Sequence, residues 1–174
     1  MTTTKGFTLI ELLIVIGILA ILATTVVLVL NPAQILQESR DTQRISDLGS
    51  VQSAIGLLLA TASTIPTFGT ALTCTAPPKT GDLTGCVVDA TREVDGNGWV
   101  AINLGATSGG STLSVLPIDP TNSDTYYYAY DGIDIGTESK TFELNARLES
   151  TKLRGNMAND GGSDNICSTF VEAT

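Results

Sequence analysis

The side chains able to do chemistry in this chain are carboxylates, three cysteines and little else. None of the 174 residues is histidine, which removes the commonest general base and the commonest metal ligand together. A serine or cysteine triad lacks its imidazole. A catalytic Asp/Glu pair is the one enzymatic option left, and no spacing here singles one out. The cysteines, Cys74, Cys86 and Cys167, form no Cys-x-x-Cys unit. Without histidine a tetrahedral zinc site lacks its fourth soft ligand. A disulfide fits better and implies an oxidising compartment outside the cytoplasm. Of the three pairings, Cys74 with Cys86 is the expected one, because it closes a short loop holding Pro77, Pro78, Gly81 and Gly85. Cys167 is then free or paired elsewhere. Three buried thiols in a reducing space are the alternative.

One carboxylate stands apart. Glu11 lies inside an apolar run, Phe7 to Leu30, broken otherwise only by Thr8, Gly17, Thr24 and Thr25. A charge at bilayer depth costs about 2.5–3.5 kcal/mol and persists where something pairs with it. As a helix the run is about 36 Å long, enough for a hydrocarbon core of about 30 Å. A cleaved secretory signal has a shorter apolar region and an Ala-x-Ala-like site, whereas Ala20 and Ala23 are separated by two large residues. Lys5 is the one charge before the run, so the N-terminus is expected in the cytoplasm and the rest outside. Arg40 and Arg44 follow the run, mixed with Glu38, Asp41 and Asp47.

Lys5-Gly6 followed by Phe7-Thr8-Leu9-Ile10-Glu11-Leu12 resembles the class III signal of type IV pilins and of the pseudopilins of type II secretion. The resemblance implies cleavage after Gly6 by a prepilin peptidase, N-methylation of Phe7, and retention of the apolar helix. It assigns Glu11 the role of neutralising the terminal amine of a neighbouring subunit during fibre growth. Cleavage creates an α-amino group with a reference pKa of about 7.7–8.0, and in a low-dielectric bundle that pairing offsets the burial of both charges. An intrachain contact between Phe7 and Glu11, four apart on one face, is the alternative. The chain departs from the family in having Gly17 early and Pro32 late, after Asn31, so no bend is placed by analogy. Asn31-Pro32 reads as a break or a fresh helix start.

Beyond it, residues 31–62 are expected to continue as an amphipathic helix. Ile45, Leu48, Val51, Ile55, Leu58 and Ala62 form an apolar stripe for packing on a sheet. Gln37 to Arg44 is polar on every side and reads as a solvated collar, with Asp41–Arg44 and Arg44–Asp47 spaced to pair. The pattern Arg40-Asp41-x-x-Arg44-x-x-Asp47-Leu48 is similar to one in some bacterial pilin-like proteins. Gly49 and Gly56 weaken the helix. Ser63 to Asn97 reads as a long loop stapled by the disulfide. Trp99–Leu104 is expected as a short strand, Gly105–Ser111 as a turn, and Tyr126–Tyr130 as a β-prone run. Phe142, Leu144, Ala146 and Leu148 alternate with polar residues, as in a half-buried antiparallel strand.

The expected fold is therefore α+β: a long N-terminal helix, half membrane-spanning and half amphipathic, packed on a small antiparallel sheet of three or four strands. Residues 1–6 are the leader, 7–30 the transmembrane and assembly helix, 31–62 its amphipathic continuation, and 63–174 a globular head. Tyr126, Tyr128 and Tyr130 share one strand face and either pack on the helix or form a surface-binding strip; packing is the expected role. The Leu116-Pro117-Ile118-Asp119-Pro120 unit before them resembles the same place in major pseudopilins, which bind calcium in a nearby loop. By that resemblance Asp119, Asp124, Asp131, Asp160 and Asp164 are candidate calcium ligands, with Asp134, Asn159 and Asn165 as further oxygen donors. The tail 159–165 lacks the order of an EF-hand. No other cofactor is implied.

The net charge of −9, from 18 acidic and 9 basic side chains, argues against nucleic acid as a partner. The function implied is that of a non-enzymatic structural subunit of a type IV pilus or pilus-like fibre. It waits as a single-pass protein of the cytoplasmic membrane and then enters an extracellular or periplasmic fibre. Its implied partners are other pilin subunits, the prepilin peptidase and the inner-membrane assembly platform. The alternatives are a type II secretion or DNA-uptake pseudopilin, and a monomeric membrane-anchored surface-binding module.

Overall fold

The computed structural model describes residues 6–79, 83, 85–107, 109–135 and 139–154, without the side chains of Leu28, Val29, 133–135, 139 and 140. The chain divides into two compact units, Met1–Gln37 and Glu38–Thr174.

The first unit is built on helix α1, Leu9–Leu30. Thr8 caps it from extended backbone (φ −80°, ψ 151°), its hydroxyl accepting from the Glu11 amide at 3.3 Å and its carbonyl from the Leu12 amide at 3.2 Å. The two threonines inside the apolar run hide their polarity in the helix itself. Thr24 donates to the Ala20 carbonyl at 2.9 Å and Thr25 to the Leu22 carbonyl at 2.8 Å, the local bond available to a hydroxyl without water. Asn31 ends α1 in the left-handed region at φ 39°. Its carbonyl accepts from the Gln34 amide at 3.0 Å, so the residue that stops α1 also starts the next helix. Pro32, with no amide to leave orphaned, takes the first position of α2, Pro32–Thr61.

The unit boundary falls within α2, and the rest of that helix carries the second unit. Val51, Ala54, Ile55 and Leu58 are buried along one face, and Leu48 and Ala62 are packed at its ends. Ile45, expected in the stripe, is 50% exposed, because the inward positions of that turn go to Asp41 and Arg44, both fully buried. Gly49 and Gly56 do not interrupt the helix.

Among the described residues four strands follow: β1 (Thr73–Cys74), β2 (Val87–Val88), β3 (Tyr128–Ile135) and β4 (Ser139–Ala146), in the order β2-β1-β3-β4. The β3–β4 pair is antiparallel from Tyr128↔Ala146 to Ile135↔Ser139, and β1 is antiparallel to β3. The fold is α+β, with one correction: β1 and β2 run parallel, so the sheet is mixed. A parallel return needs a crossover of about a dozen residues, and the segment from Cys74 to Cys86 supplies it. Val87 and Asp89 then donate to the carbonyls of Leu72 and Cys74, both at 2.8 Å.

Trp99–Leu104 forms no strand. Trp99 and Leu104 donate instead to loop carbonyls of Thr91 (3.0 Å) and Val94 (2.8 Å), and the segment ends in a 3-10 turn, Leu104–Ala106. Its side chains are buried nonetheless. Trp99, Val100, Ile102 and Leu104 join Phe68, Leu116, Tyr128 and Tyr130 in one core against α2. Trp99 and Tyr128 rings lie 5.8 Å apart, and the indole donates to the Pro117 carbonyl at 2.9 Å. On the opposite face of the sheet, Cys74, Ala76, Leu83, Tyr127 and Ala129 form a smaller cluster. Backbones approach closely at Gly132, where a Cβ would stand 1.9 Å from the Phe68 carbonyl oxygen.

Candidate assembly and processing site

At the N-terminal end, Gly6, Phe7 and Thr8 lie outside the helix, and Phe7 is 83% exposed. Glu11 follows in the first turn of α1, also exposed. A carboxylate there is favourably placed for the positive end of the helix dipole. Leu9–Val27 is long and apolar enough to cross a membrane, and its large side chains are exposed. Such a surface belongs in lipid or against other apolar helices, where the driving force is close packing.

The second unit holds a cluster that inverts the expectation of a solvated collar. Arg44 is buried and satisfies most of its donors on three carboxylates. Nε and Nη2 bind Asp119 at 2.6 and 2.9 Å, Nη1 binds Asp41 at 2.9 Å, and Nη2 also lies 2.7 Å from Glu149. Arg40 makes a bidentate pair with the same Glu149. The carboxylates are saturated from the backbone too. Asp41 accepts from the Glu149 and Ser150 amides at 2.8 and 2.7 Å, and Asp119 from the Thr121 and Asn122 amides at 2.8 and 3.1 Å. The Tyr126 ring centre lies 4.9 Å from the guanidinium carbon. Burial that is costly for a lone ion is tolerable here because every charge has partners and hydrogen bonds.

The electrostatics follow from these contacts. Arg40's hydrogen bonds, helped by Arg44 and opposed by desolvation, hold the Glu149 carboxyl down at about 2. Desolvation works against Arg44, but hydrogen bonds to Asp119 and Glu149 raise it further above its ordinary value. Asp47, expected to pair with Arg44, instead accepts from the Tyr128 hydroxyl at 2.8 Å. Burial first, and then that carboxylate, push the Tyr128 phenol up.

The candidate calcium ligands are not drawn together among the described residues. Asp119 is committed to Arg44, Asp124 is exposed and accepts from the Thr125 hydroxyl at 3.0 Å, and Asp131 stands on β3 with its carboxyl raised by burial. No group of three or more His, Cys, Asp or Glu side chains suited to a metal occurs among those residues. Asp160, Asp164, Asn159, Asn165, Cys167 and the side chain of Asp134 lie outside the description. Cys74 and Cys86 are joined, with Cα atoms 6.0 Å apart. Tyr128 and Tyr130 pack into the core and Tyr126 against Arg44, which is the packing role expected of them. Arg40 and Glu149 were not singled out as a pair by the sequence; the one local signal was the i, i+3 spacing of Asp41 and Arg44.

Residues 1–27 match the family model of the prokaryotic N-terminal methylation motif. No curated protein and no solved structure matches the chain.

Proposed function

The chain opens with the class III signal that marks type IV pilins and pseudopilins, and from it we propose that the protein is a structural subunit of a type IV pilus or pilus-like fibre. The methylation motif, set on a helix long and apolar enough to cross a membrane whose large side chains are exposed among the described residues, is the observation that carries this reading. The peptidase cuts after Gly6 and methylates the amine of Phe7. The helix is held in the membrane as a single pass with the N-terminus in the cytoplasm. It then leaves lipid for a bundle of like helices, an exchange between two equally apolar surroundings. Glu11 gains a cationic partner, the terminal amine of a neighbour, as the register locks. The second unit supplies the fibre's surface and has no catalytic task.

Glu11→Ala tests the assembly role. Unassembled protein at normal levels with fibres lost supports it; fibres formed as in wild type contradict it. A pseudopilin of a secretion system would use the same N-terminal chemistry, and shearing intact cells separates the two, since only a surface pilus is released into the medium.

A further inference from the structure

We propose that Asn97 is a site of spontaneous covalent modification, converting to aspartate or isoaspartate through a cyclic imide, and that the Asp95 carboxylate restrains the conversion. The reaction consumes only water. The Gly98 backbone nitrogen attacks the Asn97 side-chain carbonyl carbon and bonds to it; the Cγ–Nδ2 bond breaks, and ammonia leaves with the proton that Gly98 gave up. Water then opens the five-membered ring at one of its two carbonyls. The product is either an ordinary backbone with an aspartate side chain or a backbone routed through the side-chain carbon. Ring closure is easiest where the next residue is glycine, which has no Cβ to crowd the attacking nitrogen.

Asn97 is exposed to the water that the second step needs. Among the described residues the Gly98 amide donates to no acceptor, so the nucleophile is not committed to a hydrogen bond. Nor does the packing allow another residue at position 98: a Cβ there would stand 2.2 Å from the Glu93 carbonyl oxygen and 2.7 Å from Leu116 Cδ1. The fold thus requires the glycine that makes Asn97 vulnerable. Asp95 supplies the restraint. Its Oδ1 accepts from the Asn97 backbone amide and its Oδ2 from Asn97 Nδ2, each at 3.0 Å. One carboxylate therefore holds the side-chain amide beside its own backbone N–H, whereas closure needs Cγ within about 3–3.5 Å of the following nitrogen. The chain beyond that nitrogen is anchored. Trp99 is fully buried, its backbone amide on the Thr91 carbonyl at 3.0 Å and its indole on that of Pro117 at 2.9 Å. It is the side chain that must move, and its contacts with Asp95 break first.

The test incubates the full chain in detergent micelles at neutral pH and compares wild type, Asp95→Ala and Asp95→Ser. Fragment ions place the amide-to-acid mass gain at residue 97, and chromatography separates isoaspartate from aspartate. Asp95 is exposed, so its replacement should leave the fold intact, which the emission of buried Trp99 checks. Asp95→Ala should convert about fivefold faster than folded wild type, the effect of losing one ordinary hydrogen bond. Asp95→Ser keeps an acceptor for the backbone amide alone and should match the alanine variant within about twofold. Wild type in urea should convert at least as fast as either. Asp95→Ala converting no faster than wild type while Trp99 stays buried overturns the proposal, as does a folded wild type that converts as fast as the denatured chain. Were Asp95→Ala to unfold, the serine variant decides by the same criterion. Denatured wild type that gains no mass at residue 97 overturns the modification itself.

Discussion

Replacing Arg44 by methionine should destabilise the second unit severely and weaken its response to acid. In the wild type one guanidinium serves Asp41, Asp119 and Glu149 at 2.6–2.9 Å. Methionine leaves three neighbouring carboxylates, two of them with fully buried side chains, and Arg40 still paired with Glu149. Removing one partner of a buried pair costs about 3–5 kcal/mol, a large share of the roughly 5–15 kcal/mol that holds a domain folded. The pH dependence carries the sharper test. In the wild type Arg40 and, with it, Arg44 hold the Glu149 carboxyl down, and the variant loses the Arg44 share of that effect. The folded-state carboxyl of Glu149 then lies nearer its unfolded value, so the variant loses less stability than wild type as pH falls from about 4.3 towards 2. Unfolding of the full chain in detergent is followed through Trp99, the single tryptophan and fully buried. A loss under about 1 kcal/mol, or a variant as acid-sensitive below pH 4 as wild type, refutes the reasoning. The triple variant Arg44→Met, Asp41→Asn, Asp119→Asn should recover part of the loss, since it removes the uncompensated charge.

Wild-type protein should show that acid response in full. The Glu149 carboxyl, depressed to about 2 by Arg40 and Arg44, contributes stability that is complete above the unfolded carboxylate range near pH 4.3. That stability, on the order of 3 kcal/mol, is lost as pH falls towards 2. Acid titration of wild type against Glu149→Gln checks it, and equal acid sensitivity contradicts it. Reducing Cys74–Cys86, which closes a loop of sequence separation 12, should lower stability by about 3 kcal/mol on the chain-entropy estimate; an unchanged denaturation midpoint in dithiothreitol argues otherwise. Gly132→Ala would place a Cβ 1.9 Å from the Phe68 carbonyl oxygen and 2.7 Å from the Tyr130 hydroxyl, so a loss of at least about 2 kcal/mol is expected from denaturant unfolding. A neutral result would mean that Phe68 and β3 separate easily.

Local signals carried much of this fold. The apolar run, the Asn31-Pro32 break, the stripe from Val51 to Leu58 and the alternation from Phe142 to Ala146 are each written in a single stretch of chain, as is the Cys74–Cys86 loop. What was not legible depends on residues brought together from afar. Asp41 and Arg44 read as solvated because no neighbour in sequence reveals Asp119, 75 positions beyond Arg44, or the Glu149 amide, 108 positions beyond Asp41. Those partners turn a polar turn of helix into a buried one and push Ile45 outward. Trp99–Leu104 has a strand's composition, but its backbone partners are the carbonyls of Thr91 and Val94, offered by a preceding loop. The parallel β1–β2 pair is two residues long on each side, too short for any periodicity to register. The N-terminal motif was legible because its chemistry is local: a glycine, an exposed bond, a cap and one carboxylate within six residues.

Processing at the N-terminus is tested most directly by the intact mass of the chain isolated from its native membrane or fibre. A pilin-type subunit should show loss of Met1 to Gly6 and the addition of one methyl group, with fragment ions placing that methyl on the Phe7 nitrogen. A chain that retains its first six residues, or one cut downstream of Phe7 with the apolar helix lost, contradicts it.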